Sequence, residues 1–385
     1  MDSQKKENLL NLALDTPQAE REKSLELDVG YDSRERTWEV IVKFHDSLRP
    51  LTARGILVEE LIAGYAILTV PESEMDYLTQ VEQIEYVEKP KRLFFSDLAG
   101  RSASCLAPGS PIASELRGKG VLIAVIDSGI SYFNEDFRNP DGTTRIRYLW
   151  DQTLNREYSA EDIDSALATG SREGALAVVP SIDVTGHGTA VAGIAAGNGG
   201  TGGALYAGVA PESELLIVKL GTPRAESFPR TTELMRALTY VVYRAMELRR
   251  PVAINLSFGN TYGNHDGTSL LERFVDNVSE IGQNVICVGS GNEAASGGHV
   301  GGKITSPGRG NLTLTEPVIT NDGSVSQNMT QVELVVGAYE NSVNVQLWKE
   351  YVDRYRVTLR APSGESFTVD SDRTGKQTYR LDGTT

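Results

Sequence analysis

The chain has 385 residues, enough for two or three domains, with 40% hydrophobic content and a formal net charge of -15 at pH 7. That acidic balance argues against nucleic acid or an anionic membrane surface as a partner. Its only cysteines, Cys105 and Cys287, exclude a disulfide-stapled scaffold, and four scattered histidines give no zinc spacing.

No apolar run approaches the ~20 residues that span a bilayer; the longest strand-like run is Val121 to Ile126. Lys5-Lys6 precedes a mildly apolar Leu9 to Leu14, but Asn11 and Asp15 interrupt it and no small-residue cleavage site follows. Residues 1 to about 30 therefore read as an amphipathic leader helix rather than a secretion signal. From Trp38 the pattern alternates: Trp38, Val40, Val42 and Phe44 against Glu39, Ile41 and Lys43 predict a half-buried strand. Leu61 to Val70 predicts a second strand, Pro71-Glu-Ser73 opens a helix carrying Met75, Leu78 and Val81 on one face, and Ile84 to Glu88 predicts a third strand. This is a small α+β module with helices on one face of an antiparallel sheet. The stretch from Lys89 to Gly100 reads equally as a linker or as a segment with a special role.

A second regime begins near Cys105. Val121 to Ile126 is a continuous apolar strand of the kind buried on both faces of a parallel sheet, ending in Asp127-Ser128-Gly129. Thr189 to Ala196 predicts a small-faced helix stopped by Gly197, entered through Gly186-His187-Gly188. Glu214 to Lys219 is another buried strand. Thr231 and Thr232 are expected to cap a helix whose stripe is Leu234, Ala237, Leu238, Val241, Ala245 and Met246, stopped by Arg249-Arg250-Pro251. Val252 to Phe258, Leu270 to Ile281 and Asn284 to Gly289 follow as strand, helix and strand. The alternation predicts a parallel sheet with helices on both faces, and ligands on such sheets bind beyond the carboxyl ends of the strands. Asp127, Ser257-Phe258-Gly259 and Gly289-Ser290-Gly291-Asn292 all stand at such ends. From about Leu312 alternating runs at Val332–Val336, Val343–Leu347 and Tyr355–Leu359, with a Pro362-Ser-Gly364 turn, predict antiparallel β structure.

Acyl transfer by a hydroxyl nucleophile needs a serine, a histidine base, a carboxylate that orients the base, and donors for the oxyanion. His187 fits the base, Asp127 the orienter and Asn292 the side-chain donor. Each also has a plain structural reading: a helix-cap histidine, a strand-end turn carboxylate and a turn asparagine.

Taken together and in this order, Asp127-Ser128-Gly129, Gly186-His187-Gly188-Thr189-Ala-Val-Ala-Gly193, Asn255-Leu-Ser257-Phe-Gly259 and Gly289-Ser-Gly-Asn292 resemble the signature blocks of subtilisin-like serine proteases, peptidase family S8. Arg147-Tyr-Leu-Trp150-Asp-Gln-Thr, Asn264 to Glu272 and Val345-Gln-Leu-Trp348-Lys are similar to the clostridial Csp germination proteases within that family. The resemblance implies a leader and propeptide domain at 1–97, acting as chaperone and inhibitor with its tail in the cleft. It implies a subtilisin-like domain at 98–315 and an incomplete β insertion at 316–385. It further implies autocleavage within Arg92 to Ser104, Asp127 and His187 as catalytic residues, and Asn292 as oxyanion donor. Ser257, Phe258 and Gly259 would bind extended substrate, and Gly289, Ser290 and Gly291 would wall a specificity pocket. Expected partners are a protein or peptide substrate and the chain's own propeptide, and the resemblance alone favours a cytoplasmic or spore-associated setting. No cofactor is expected, and a structural calcium has no motif behind it.

The family's serine lies in a Gly-Thr-Ser block C-terminal to the asparagine, and none follows Asn292 here, so the chain reads as truncated before its nucleophile and as inactive on its own. Gly267-Thr268-Ser269 precedes Asn292 and leads into Leu-Leu-Glu-Arg, which makes Ser269 a helix cap rather than a nucleophile. Two alternatives remain: an inactive protease-fold regulator that keeps its propeptide, and a different α/β hydrolase. The second needs a Gly-x-Ser-x-Gly elbow and a late histidine, which Gly289-Ser290-Gly291 and His187 do not supply.

Overall fold

The computed structural model describes residues 5–95, 116–203, 206–221, 229–260, 262–291, 298–301, 318–319, 325–326, 332–336, 343–350, 352–371, 373 and 375–380. Contacts divide the chain into two units, one of Met1–Ser290 with Trp348–Thr385, the other of Gly291–Leu347.

Polar residues broken by Pro17 and Ser24 split the leader into three short helices, α1 (Asn8–Asp15), α2 (Gln18–Arg21) and α3 (Leu25–Asp28). Then come β1 (Tyr31–Asp32), β2 (Thr37–Phe44), α4 (Arg49–Thr52), β3 (Leu57–Glu60), β4 (Tyr65–Pro71) and β5 (Ile84–Glu88). They form an antiparallel sheet in the order β1-β2-β4-β3, with β5 also on β2. Trp38, Val40, Val42 and Phe44 bury on one face with Leu10 and Ala13 of α1. Ile41, on the opposite face, is fully buried too, among residues of two later helices. The strand expected to be half-buried is thus covered on both faces, because its outer face is a docking surface. The helix expected after Pro71 is two short 3-10 turns, Glu72–Glu74 and Tyr77–Gln80. Met75 and Leu78 are three residues apart, which suits the threefold period of a tight turn, and both are buried. The strand expected from Leu61 starts only at Tyr65, after a 3-10 turn at Ile62–Gly64. Beyond β5 the chain runs on to β6 (Phe94–Phe95).

The second sheet is built from β7 (Leu122–Asp127), β8 (Ile146–Asp151), β9 (Arg156–Ser159), β10 (Glu214–Lys219), β11 (Val252–Leu256) and β13 (Asn284–Val288), in the order β13-β11-β7-β10-β8-β9. Five of these strands are parallel. The edge strand β9 is antiparallel to β8, so the sheet expected to be parallel is mixed. Helices cover both faces, as the unbroken apolar run of β7 requires. Val125 packs on the side of α5 (Ala160–Leu167), α6 (Arg172–Val178) and α7 (His187–Ala196). Leu122, Ala124 and Ile126 pack on the side of α8 (Thr231–Leu248) and α9 (Leu270–Ser279). Five of the six residues of the α8 stripe are buried; Met246 is the exception, half-exposed at the last turn. Strand β11 ends at Leu256, and the chain leaves the sheet to form the two-residue β12 (Phe258–Gly259).

In the unit Gly291–Leu347, β14 (Val318–Ile319) pairs antiparallel with β15 (Val325–Ser326). Residues 332–336 and 343–347 alternate in sequence but form no strand. In the larger unit β16 (Arg356–Arg360) and β17 (Ser366–Asp370) make the antiparallel hairpin that Pro362-Ser-Gly364 signalled.

Candidate active site

Asp127 is the last residue of β7 and His187 the first of α7, sixty positions on. Their side chains meet, with His187 Nδ1 2.7 Å from Asp127 Oδ1. Asp127 is fully buried and His187 only 9% exposed. Burial pushes the Asp127 carboxyl above its ordinary value, and hydrogen bonds from His187 and the Ser128 N–H oppose the rise without cancelling it. Oδ2 of Asp127 is buried with no hydrogen-bond partner among the described residues. A carboxylate on Nδ1 fixes the tautomer that leaves Nε2 able to take a proton and stabilises the imidazolium once it has done so.

Two glycines make this approach possible, each in its own way. Gly186 has φ 76°, the left-handed region, and turns the chain into α7. Gly188 is needed for space. A Cβ there would lie 2.2 Å from the Gly129 carbonyl oxygen and 3.2 Å from Asp127 Cβ, so only glycine lets the His187 turn lie against the Asp127 turn.

Ser257 follows the carboxyl end of β11 and Gly289 that of β13, two strands that pair in the sheet. Ser257 links β11 to β12 and its hydroxyl accepts from Asn255 Nδ2 at 2.7 Å. Phe258 is buried and Gly259 half-buried. The Gly289 N–H donates to the Leu256 carbonyl at 3.0 Å, Ser290 is exposed, and Gly291 has φ 89°. Asn292 lies outside the described residues. Ser269 caps α9, its Oγ accepting from the Glu272 N–H in a capping box.

The edge at Phe258–Gly259 is occupied. Strand β6 pairs with it antiparallel, Phe258 opposite Phe95 and Gly259 opposite Phe94. On its other side the same segment bonds residues 229–231. Lys91 accepts from the Thr231 N–H at 2.8 Å and its own N–H donates to Thr231 Oγ1, while Leu93 N–H donates to the Pro229 carbonyl. Residues 91–95 therefore act as the middle strand of a three-stranded clamp rather than as a plain linker. The bonds within Arg92 to Ser104 where cleavage is expected lie mostly outside the described residues.

Sequence reading missed what holds the first module on the second. Thr231 and Thr232 do not cap α8; the cap is Arg230 with Glu233, and both threonine hydroxyls turn to the N-terminal module. Glu39, pointing outward from β2, accepts from Thr232 Oγ1 at 2.7 Å and pairs with Arg230 at 3.0 Å and Arg236 at 3.3 Å. Burial works to raise its pKa, but the two guanidiniums outweigh it and the net shift is downward. Glu88 accepts from the first N–H of α9, Leu270, at 2.9 Å and pairs with Lys91 at 2.6 Å, with Glu7 on the same lysine at 3.1 Å. Carboxylates thus stand at the positive ends of both helices. Tyr65 completes the contact, edge-on to Phe274 with ring centroids 5.1 Å apart. The one signal available in sequence was Ile41, an apolar residue on the face of the strand that carries Glu39 and Lys43.

Among the described residues no group of three or more His, Cys, Asp or Glu could hold a metal ion, and no helix is long and apolar enough to cross a membrane.

Residues 118–384 match the model of the Subtilase family, and residues 4–91 match that of the Csp protease B prodomain. Among curated proteins the chain is 26% identical over 231 residues to the subtilisin of Bacillus sp. (strain TA39), covering 59% of this chain and 48% of that protein. It is 31% identical over 182 residues to the major intracellular serine protease of Bacillus subtilis (strain 168), covering 47% and 46%. It thus spans about half the length of these relatives. The solved Clostridium perfringens CspB protease aligns with a TM-score of 0.47 at 34% identity, over 51% of this chain and 41% of that one.

Proposed function

This chain belongs to the subtilase family, with an N-terminal Csp-type prodomain, and from that premise we propose that the intact protein is a serine endopeptidase kept in check by that prodomain. The observation that carries the reading is the 2.7 Å contact between His187 Nδ1 and a fully buried Asp127. In this reading Asp127 orients His187, and His187 Nε2 takes the proton of a serine hydroxyl as it attacks the peptide carbonyl. The same imidazolium then protonates the leaving amine. Asn292 donates to the oxyanion, Ser257 to Gly259 pair with the extended substrate backbone, and Gly289 to Gly291 border the pocket for the residue before the scissile bond. The nucleophile this chemistry requires is a serine in a Gly-Thr-Ser block C-terminal to Asn292, and the capping Ser269 does not fill the role. Proteolysis during spore germination is the process the Csp-type prodomain favours, with a protein as substrate.

The pairing of β6 with Phe258–Gly259 supports the inhibitory half of the proposal, because the chain's own tail uses the backbone groups a substrate would need. The same pairing is what favours the competing reading, a non-catalytic scaffold that never releases its prodomain. One experiment separates them. The intact protein is treated with a fluorophosphonate, the labelled peptide is mapped, and Asp127→Asn and Asn292→Ala are compared with wild type. The endopeptidase reading expects a single labelled serine C-terminal to Asn292. It expects a kcat loss of about 10⁴-fold for Asp127→Asn, the figure known for trypsin, and about 10²–10³-fold for Asn292→Ala, the figure known for subtilisin. No labelled serine and no hydrolysis would leave the scaffold.

A further inference from the structure

We propose that Asp183 is a positioning residue, the joint that sets the Asp127 turn against the His187 turn. Both its carboxylate oxygens are used. Oδ1 accepts from Ser128 Oγ at 2.8 Å and from the Gly186 N–H at 3.0 Å; Oδ2 accepts from the Thr189 N–H at 2.9 Å and from Thr189 Oγ1 at 2.6 Å. Each hydroxyl is itself an acceptor from the far side. Gly188 N–H donates to Ser128 Oγ at 2.9 Å, and Ser131 N–H donates to Thr189 Oγ1 at 2.8 Å. The pattern crosses between the two turns at two hydroxyls: Ser128 Oγ, which bonds Asp183 and Gly188, and Thr189 Oγ1, which bonds Ser131. His187 lies between two residues tied by this network, Gly186 and Gly188, while Asp127 adjoins a third, Ser128. The Asp127–His187 bond therefore does not hold the turns in register by itself.

Only a carboxylate fits the position. Each oxygen faces a backbone N–H, an obligate donor, so an asparagine must turn its NH₂ towards either Gly186 or Thr189. Glutamate, one methylene longer, would carry its oxygens past the Gly186 and Thr189 N–H groups that the aspartate meets. Burial works to raise the Asp183 pKa, but the bonds from Thr189, Ser128 and Gly186 outweigh it and hold the group ionised below its ordinary value.

The effect on turnover rests on the peptidase reading, whereas the effect on His187 does not, and the test measures both. The intact protein, labelled with ¹⁵N-histidine, is compared with Asp183→Asn, Ser128→Ala, Thr189→Val and Thr189→Ser at one pH. The readouts are the low-field Nδ1–H resonance of His187, assigned by its loss in His187→Gln, and kcat and KM on a peptide substrate. Asp183→Asn is expected to shift and broaden the resonance and to lower kcat about 10²-fold with KM within about twofold, the cost of an ångström-scale misplacement. Thr189→Val and Ser128→Ala each remove one crossing and should give smaller changes in the same direction, while Thr189→Ser keeps both of its bonds and should match wild type. An unchanged resonance in Asp183→Asn, or in both single-crossing variants should Asp183→Asn not fold, overturns the proposal. A shifted resonance in a protein that hydrolyses nothing upholds it and counts against the peptidase reading instead. An unchanged kcat in an active protein overturns it.

Discussion

Replacing Gly188 by alanine puts the whole approach of the two turns at risk, through one methyl group. The added Cβ would sit 2.2 Å from the Gly129 carbonyl oxygen, where ordinary contact begins at 3.4 Å, so the turns must part by about 1.2 Å, the difference of those distances. Nothing there is a side-chain tip that can swing away: the Gly129 atoms are backbone, and Asp127 Cβ is bonded directly to it. However that motion is shared, the separation between the turns is the full 1.2 Å or so, and taken along the Asp127–His187 bond it would open the 2.7 Å contact to about 3.9 Å, beyond the normal range of about 2.7–3.2 Å. An ångström of misplacement costs about 10²-fold in rate, and overpacking costs about 1–3 kcal/mol in stability. The expected outcome is a kcat reduced about 10²-fold, KM little changed, and a lower urea midpoint. Gly193 supplies the control, because it lies in the same helix with nothing within 4 Å of an added Cβ. Gly193→Ala should be neutral or stabilising by up to about 1 kcal/mol. Gly188→Ala with the wild-type midpoint and rate would refute the steric account, as would equal damage from both substitutions.

Three other perturbations follow, two from the N-terminal module and one from the rejected serine. Glu39→Gln leaves Arg230 and Arg236 facing an uncharged amide at a largely buried interface. It should cost about 3 kcal/mol, the low end for a broken buried pair because Glu59 and Glu233 remain on Arg236, read as a lower urea midpoint for the intact protein. Since the Glu39 pKa is lowered on folding, its contribution is present above the ordinary carboxylate value and lost as pH falls through the lowered one. That acid-side loss should be absent in Glu39→Gln. Lys89 is fully buried, its ammonium donating to the Glu26 carbonyl, and burial lowers its pKa from 10.5 to about 7. The unfolded chain binds its proton more tightly, so stability should fall as pH drops from 10.5 to 7 and level off below. Lys89→Met should flatten that slope in urea titrations at pH 7, 8.5 and 10. Ser269→Ala removes the α9 cap and should cost about 1 kcal/mol with fluorophosphonate labelling untouched; loss of the label would reinstate Ser269 as the nucleophile.

Much of the site was legible because local order carries it. An apolar strand that ends in Asp127, a helix that begins at His187 between two glycines, and turns at Ser257 and Gly289 are each written in adjacent residues. Burial periodicity then says which ends share an edge of the sheet. The Ser269 cap was legible for the same reason, since a capping box spans four residues. Where the local rule had two solutions, tertiary context chose. Met75 and Leu78 suit a 3-10 turn as well as a helix, and the alternation at residues 332–336 and 343–347 produced no strand.

The sequence by itself determined the chemistry at hand and the order in which the chain presents it: a carboxylate, an imidazole and small residues at strand ends. Only the tertiary structure decided which groups meet. Nothing local distinguishes Glu39, which binds two arginines nearly two hundred residues away, from any outward glutamate on a strand. Nothing local shows that Thr231 would bond the backbone of Lys91 instead of capping its own helix, or that Asp183 would hold two turns with one carboxylate. Those outcomes depend on distances between segments far apart in the chain, set by how the sheets and helices pack, whereas periodicity reports only which side of each segment faces inward.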